Sequence, residues 1–96
     1  MRLFIEDRVE QAFRHLQPSD AVKVARVFSM LEDETFENLR SRFKIHKLST
    51  PGEQVFMLRA TPKLRILFKY GEDQSLLIED IVSREVLETF FDGRRR

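Results

Sequence analysis

Residues 55–70 read VFMLRATPKLRILFKY and carry Arg59, Lys63, Arg65 and Lys69 without a single acid. Guanidinium and ammonium groups set among apolar side chains are suited to holding phosphate oxygens, because apolar walls strengthen each charge-assisted hydrogen bond. The bias extends upstream. From Arg40 to Lys69 there are eight basic residues, Arg42, Lys44 and Lys47 among them, against one acid, Glu53. The chain as a whole carries 17 basic and 16 acidic residues, so the rest of it must be net acidic. A basic region segregated in this way is the electrostatic footprint of a surface that meets phosphates.

The remaining composition narrows the class. A chain of 96 residues, 42% hydrophobic and 34% charged, is expected to form one domain over 1–96 with a single core. It has no cysteine, which excludes disulfides and thiolate metal sites. The acid pairs Glu72-Asp73 and Glu79-Asp80 lack the ligand histidines and spacing of a metal site, so no metal or other cofactor is expected. No apolar run approaches the roughly 18 residues of a membrane span. Glu6, Asp7 and Glu10 stand where a secretory signal would be apolar, so the expected location is the cytoplasm, with no membrane partner.

These elements must position the cations. Ile5, Val9, Ala12, Phe13 and Leu16 recur at helical spacing and predict a helix from about Glu6 to Gln17, after a possible short strand at Leu3 to Ile5. Pro18 ends it. Ala21, Val24, Ala25, Phe28 and Leu31 predict a second helix from about Ser19 to Glu32, antiparallel to the first. The segment TFENLRSRF reads as a helical turn or loop pinned by Phe36, Leu39 and Phe43. The period then changes to two. Strands are expected over Lys44 to Leu48, Gln54 to Ala60, Leu64 to Tyr70 and the SLLIEDIV segment, the last buried within the sheet. Ser83 can cap a short final helix carrying Val86, Leu87, Phe90 and Phe91. The predicted class is α+β: two N-terminal helices packed on a mainly antiparallel four-stranded sheet, with a short C-terminal helix.

Strand parity then decides where the cations point. Leu64, Ile66, Phe68 and Tyr70 share one side of their strand, while Arg65, Leu67 and Lys69 share the other. On the preceding strand Phe56, Leu58 and Ala60 oppose Val55, Met57 and Arg59. One face is therefore made for the helices, and the other displays cations among apolar neighbours. His15, on a helix beside core positions, is expected to be structural, and the Arg94 to Arg96 tail to be solvated.

In their order and spacing, HKL at 46–48, FMLRAT at 56–61, KLRILF at 63–68, LLIEDIVSRE at 76–85 and Phe90 resemble the RelE/ParE superfamily of toxins from bacterial toxin–antitoxin pairs. The resemblance implies a compact sheet crossed by two helices, and a toxin neutralised by a cognate antitoxin. Many members cleave mRNA on the ribosome, whereas the ParE branch poisons DNA gyrase. By resemblance, Arg65 matches the arginine that contacts the scissile phosphate, Arg84 a second arginine acting nearby, and Arg59 the arginine ending the preceding strand. His46 holds the place of an acidic general base in some members, and an imidazole can do that work near neutral pH.

The implied function is that of a ribosome-dependent mRNA endonuclease that inhibits translation without a metal. Arg65, Arg84 and His46 would be its catalytic residues, with Arg59, Lys47, Lys44 and Lys63 on flanking phosphate and Phe90 stacking. Two departures from the family favour other readings. Val55 and Met57 stand where some members carry lysines, and Phe90 stands in place of a tyrosine and can neither donate nor accept a proton. The alternatives are a ParE-like inhibitor of gyrase and a catalytically inactive antitoxin-binding domain.

Overall fold

Leu58, Ile66 and Phe68 have no exposed surface, and each is followed or preceded in its strand by a cation or polar neighbour. In a computed structural model describing residues 1–50, 53–71 and 73–87, this alternation belongs to a sheet with two unlike faces. The element order is β1 (Arg2–Ile5), α1 (Asp7–Arg14), α2 (Pro18–Asp33), α3 (Phe36–Arg42), β2 (Ile45–Thr50), β3 (Glu53–Arg59), β4 (Leu64–Tyr70) and β5 (Ser75–Ser83). Residues 84–87 are again helical, where a final helix was expected; Phe90 and Phe91 lie outside the described residues.

The sheet has five strands in the order β1-β5-β4-β3-β2, which corrects the expected four. β2 to β5 form an antiparallel meander, whereas β1 pairs parallel to β5, so the sheet is mixed. The three helices carry the chain from the β1 edge to the β2 edge, and the meander brings it back. β5 lies inside the sheet, between β1 and β4, so both of its edges are paired, as its run of branched apolar residues suggests.

Val9 from α1, Val24, Val27 and Leu31 from α2, and Leu39 from α3 form one core with Leu58, Ile66, Phe68, Leu76, Ile78 and Ile81 of the sheet. Burial of each of these side chains is worth about 1.5–3 kcal/mol relative to exposure. Phe13 of α1 and Phe28 of α2 bring the two helices together with ring centroids 6.4 Å apart. α1 stops at Arg14, short of the expected Gln17, with His15 as its C-cap. Pro18 does more than end one helix: it occupies the first turn of α2, where its missing N–H is no loss and its fixed φ is already helical.

The segment read as a helical turn or loop is instead a true helix. Thr35 caps α3 by accepting from the Asn38 backbone N–H at 3.2 Å, and Leu39 is fully buried. Phe36 stacks on Tyr70 with centroids 4.4 Å apart and meets Phe56 edge-on at 5.3 Å. A helix of seven residues has too few turns to display a period in sequence; its capping and aromatic contacts hold it.

β5 contains a bulge. Leu67 faces Asp80 and Phe68 faces Ile78, so Glu79 has no partner in β4. The extra residue puts Ile78 and Ile81, three apart, on the same buried face, which explains why two acids can sit inside an otherwise apolar strand. Asp80 Oδ1 accepts from the Ile81 N–H at 2.9 Å. The Glu79 carboxylate accepts from Lys69 of β4 at 2.8 Å and from Arg8 of α1 at 3.3 Å, while Arg8 Nε donates to the Glu79 carbonyl at 2.8 Å. The bulge thus fastens the first turn of α1 to the sheet. Among the described residues no helix is long and apolar enough to cross a membrane.

Leu39→Ala should destabilise the protein by about 2–5 kcal/mol in urea unfolding, the range for a buried leucine, and Thr35→Ala by about 1 kcal/mol, the loss of a cap. A change below about 0.5 kcal/mol for Leu39→Ala would mean that α3 is peripheral to the core.

Candidate anion site on the far face of the sheet

The site begins with the β3–β4 turn. Ala60 N–H donates to the Leu64 carbonyl at 3.0 Å, and Leu64 N–H returns to the Thr61 carbonyl at 3.3 Å, with Pro62 at the second position of the turn as its fixed φ favours. Thr61 is 5% exposed. Its Oγ1 accepts from Lys63 N–H at 3.2 Å and from Leu64 N–H at 3.0 Å. This tight connection sets the register that places Arg59 directly opposite Arg65, Met57 opposite Leu67, and Val55 opposite Lys69.

Across the next ladder His46 of β2 faces Met57. Lys44, two residues earlier, keeps the same parity. Lys44, His46, Met57, Arg59 and Arg65 line one pocket of about 220 Å³, on the face opposite the helices. Lys44, His46 and Arg59 are exposed, while Met57 and Arg65 are half-buried. Two like charges held directly opposite each other in an antiparallel pair are destabilising by about 0.2–1 kcal/mol where nothing offsets them, and Arg59 and Arg65 occupy such opposed positions. An anion held between two guanidinium groups would receive charge-assisted hydrogen bonds from both.

Arg65 is held in place by the turn. Its Nη1 donates to the carbonyls of Thr61 at 2.9 Å, Leu64 at 3.2 Å and Pro62 at 3.3 Å. The guanidinium is therefore oriented by backbone before any ligand arrives, which lowers the entropy lost on binding.

The other expected site residues are distributed around this pocket. Lys47 pairs with Phe56 and so has the parity of the helix-side face, away from the pocket; the expectation placed it on flanking phosphate. Lys63 and Arg84 line a separate hollow of about 570 Å³ with Pro62, Ser83 and Glu85. That hollow adjoins the first through the shared turn: Leu64 pairs with Ser83 and Arg65 with Val82, and Arg84 N–H donates to the Lys63 carbonyl at 2.7 Å. Ser83 Oγ accepts from Val86 N–H at 3.1 Å, the expected cap. Phe90 lies outside the described residues.

Other members of the basic run are engaged elsewhere. Arg42 pairs with Glu34 at 2.6 Å, and the Arg40 guanidinium lies 6.0 Å from the centroid of the Phe36 ring. His15 is exposed, with Nδ1 2.7 Å from the Gln11 carbonyl oxygen. Thr61 was not among the expected residues, although a threonine before proline between two strands is a turn signal in its own right. Among the described residues no group of acids and histidines is placed to hold a metal.

No family model matches this chain, and no curated protein does. Solved structures are similar to it. The RelE–RelB complex of Pyrococcus horikoshii contains a chain that superposes with a TM-score of 0.69 at 21% identity, over 86% of this chain and 93% of that one. A copper-bound mutant toxin from Helicobacter pylori superposes with a TM-score of 0.56 at 13% identity, over 91% of this chain and 98% of that one. The fold is thus that of the RelE-like toxins.

At low ionic strength inorganic phosphate should raise the melting temperature of the wild type, by about 1.4 kcal/mol of stabilisation at ten times its Kd. Arg59→Gln with Arg65→Gln should abolish the gain. An equal phosphate response in the double variant would place any bound anion elsewhere.

Proposed function

We propose that this chain is the toxin of a toxin–antitoxin pair and that it cleaves mRNA on the ribosome, using the pocket between Arg59 and Arg65. The observation that carries the reading is the like-charged Arg59–Arg65 pair in direct register, with Lys44 and His46 lining the same pocket. The RelE-like fold supports it, and the neighbour found in complex with RelB supports an antitoxin as the partner of this chain.

The chemistry needs little beyond these groups. His46 takes the proton from a ribose 2′-hydroxyl. The 2′-oxygen then bonds to phosphorus, the bond from phosphorus to the 5′-oxygen breaks, and that oxygen leaves with a proton from solvent or from the ribosome. The products are a 2′,3′-cyclic phosphate and a 5′-hydroxyl. Arg59, Arg65 and Lys44 face the charge that grows on the phosphorane oxygens. Arg84 and Lys63, one ladder step away, are suited to a neighbouring phosphate of the same strand, and Met57 gives the pocket an apolar wall. Inhibition of gyrase is the second reading; a cationic pocket would there hold DNA or an acidic surface without bond cleavage.

Induced wild type should arrest growth within minutes and create new mRNA 5′ ends inside translated codons, while Arg65→Ala should do neither. His46→Ala should lower the cleavage rate about 10²- to 10⁴-fold, the usual share of a general base. Growth arrest with intact mRNA would discard the nuclease and make gyrase the target to assay.

A further inference from the structure

We infer that Thr61 is a positioning residue of the anion pocket, acting through Arg65. The inference rests on the reading of that pocket as a phosphate site. Thr61 is a buried polar side chain in a turn, and both of its oxygens are committed. Oγ1 accepts from the N–H groups of Lys63 and Leu64, closing the turn from the side-chain direction. The carbonyl oxygen accepts from Leu64 N–H and from Arg65 Nη1 at 2.9 Å, the shortest of the three carbonyl contacts to that nitrogen. One residue thus shapes the turn with its hydroxyl and orients the cation with its backbone.

The coupling between the two roles is physical. Without the hydroxyl, Lys63 N–H loses an acceptor and Leu64 N–H keeps only its 3.3 Å contact to the Thr61 carbonyl. The turn then relaxes toward whatever geometry satisfies those donors, and the carbonyls of Thr61 and Pro62 move with it. These are two of the three carbonyls that hold Arg65 Nη1, the Leu64 carbonyl being the third. An arginine carries many rotamers; with this anchor loosened the guanidinium loses part of the orientation it holds beside the pocket.

The test is a double-mutant cycle on Kd for inorganic phosphate, followed by chemical-shift titration, with melting temperature measured in parallel. Thr61→Val keeps the shape and removes the hydroxyl; Thr61→Ala replaces it in the cycle if the valine variant does not fold. The expected result is about a fivefold or greater weakening of phosphate binding in Thr61→Val, the equivalent of one hydrogen bond. In the Arg65→Ala background the same substitution should change Kd by less than about 1.5-fold, because coupled residues are not additive. Thr61→Ser should bind phosphate within about twofold of wild type. A lower melting temperature with unchanged Kd, or an equal loss in both backgrounds, would show that Thr61 only stabilises the turn and would overturn the inference. If the wild type binds no phosphate, the anion-site reading itself fails and takes this inference with it, an outcome visible before any variant is made.

Discussion

The register of β3 against β4 is the constraint on which both core and site depend. Side chains alternate with a period of two, so the pairing that buries Leu58, Ile66 and Phe68 also brings Arg59 opposite Arg65 on the other side. A slip of one residue would push Arg65 and Lys69 into the helix-side core and turn Ile66 and Phe68 to water. Burying an unpaired cation costs several kcal/mol, and exposing a phenylalanine forfeits about 1.5–3 kcal/mol more. Against such a penalty the repulsion between two arginines, at most about 1 kcal/mol, is small. The core therefore fixes the register that sets positions 59 and 65 opposite each other on the far face.

Two local devices keep this register from drifting. At one end of the β3–β4 pair, Thr61 and Pro62 hold a short turn whose carbonyls also seize Arg65. On the other side of β4, the bulge at Glu79 absorbs one residue of β5, so that Ile78 and Ile81 both reach the core. Lys69 is tied to Glu79 at the bulge, which separates it from the cations of the pocket. Within the region between Arg40 and Lys69, Arg42 and Lys69 thus pair with acids while Lys44, Arg59 and Arg65 line a hollow, Arg65 also bonding the turn. Net charge along the chain could announce the basic region but not this division of labour.

Much of the architecture was legible because it follows from period alone. The bounds of β4, the parity of β3 and β4, and the placing of Arg59 and Arg65 together on the far face come directly from alternating residues. Parity was equally informative for Lys47, which has the helix-side parity beside Phe56, but the match of a short motif obscured it. β1 was visible only as a possible strand, because its four residues gain their meaning from a parallel pairing with β5, seventy residues away. α3 was hidden by its length, and the bulge by a pair of acids that look alike in sequence and do different work. Thr61 was overlooked since a turn hydroxyl has no period at all.

The proposed chemistry gives the Arg59–Arg65 pair a purpose that can be followed in charge. A phosphodiester in the ground state carries one negative charge, and the phosphorane formed by 2′-oxygen attack carries more. Cations that are already in position meet the additional charge without reorganising, whereas mobile ones would have to be gathered during the reaction. Arg65 is oriented by three carbonyls and the Arg59 backbone is placed by its strand, so part of the field at the pocket exists before substrate arrives. Contacts made to the ground-state phosphodiester strengthen as the phosphorane charge grows. Interactions that strengthen in that order lower the barrier as well as favouring binding, which is the property required of a catalyst.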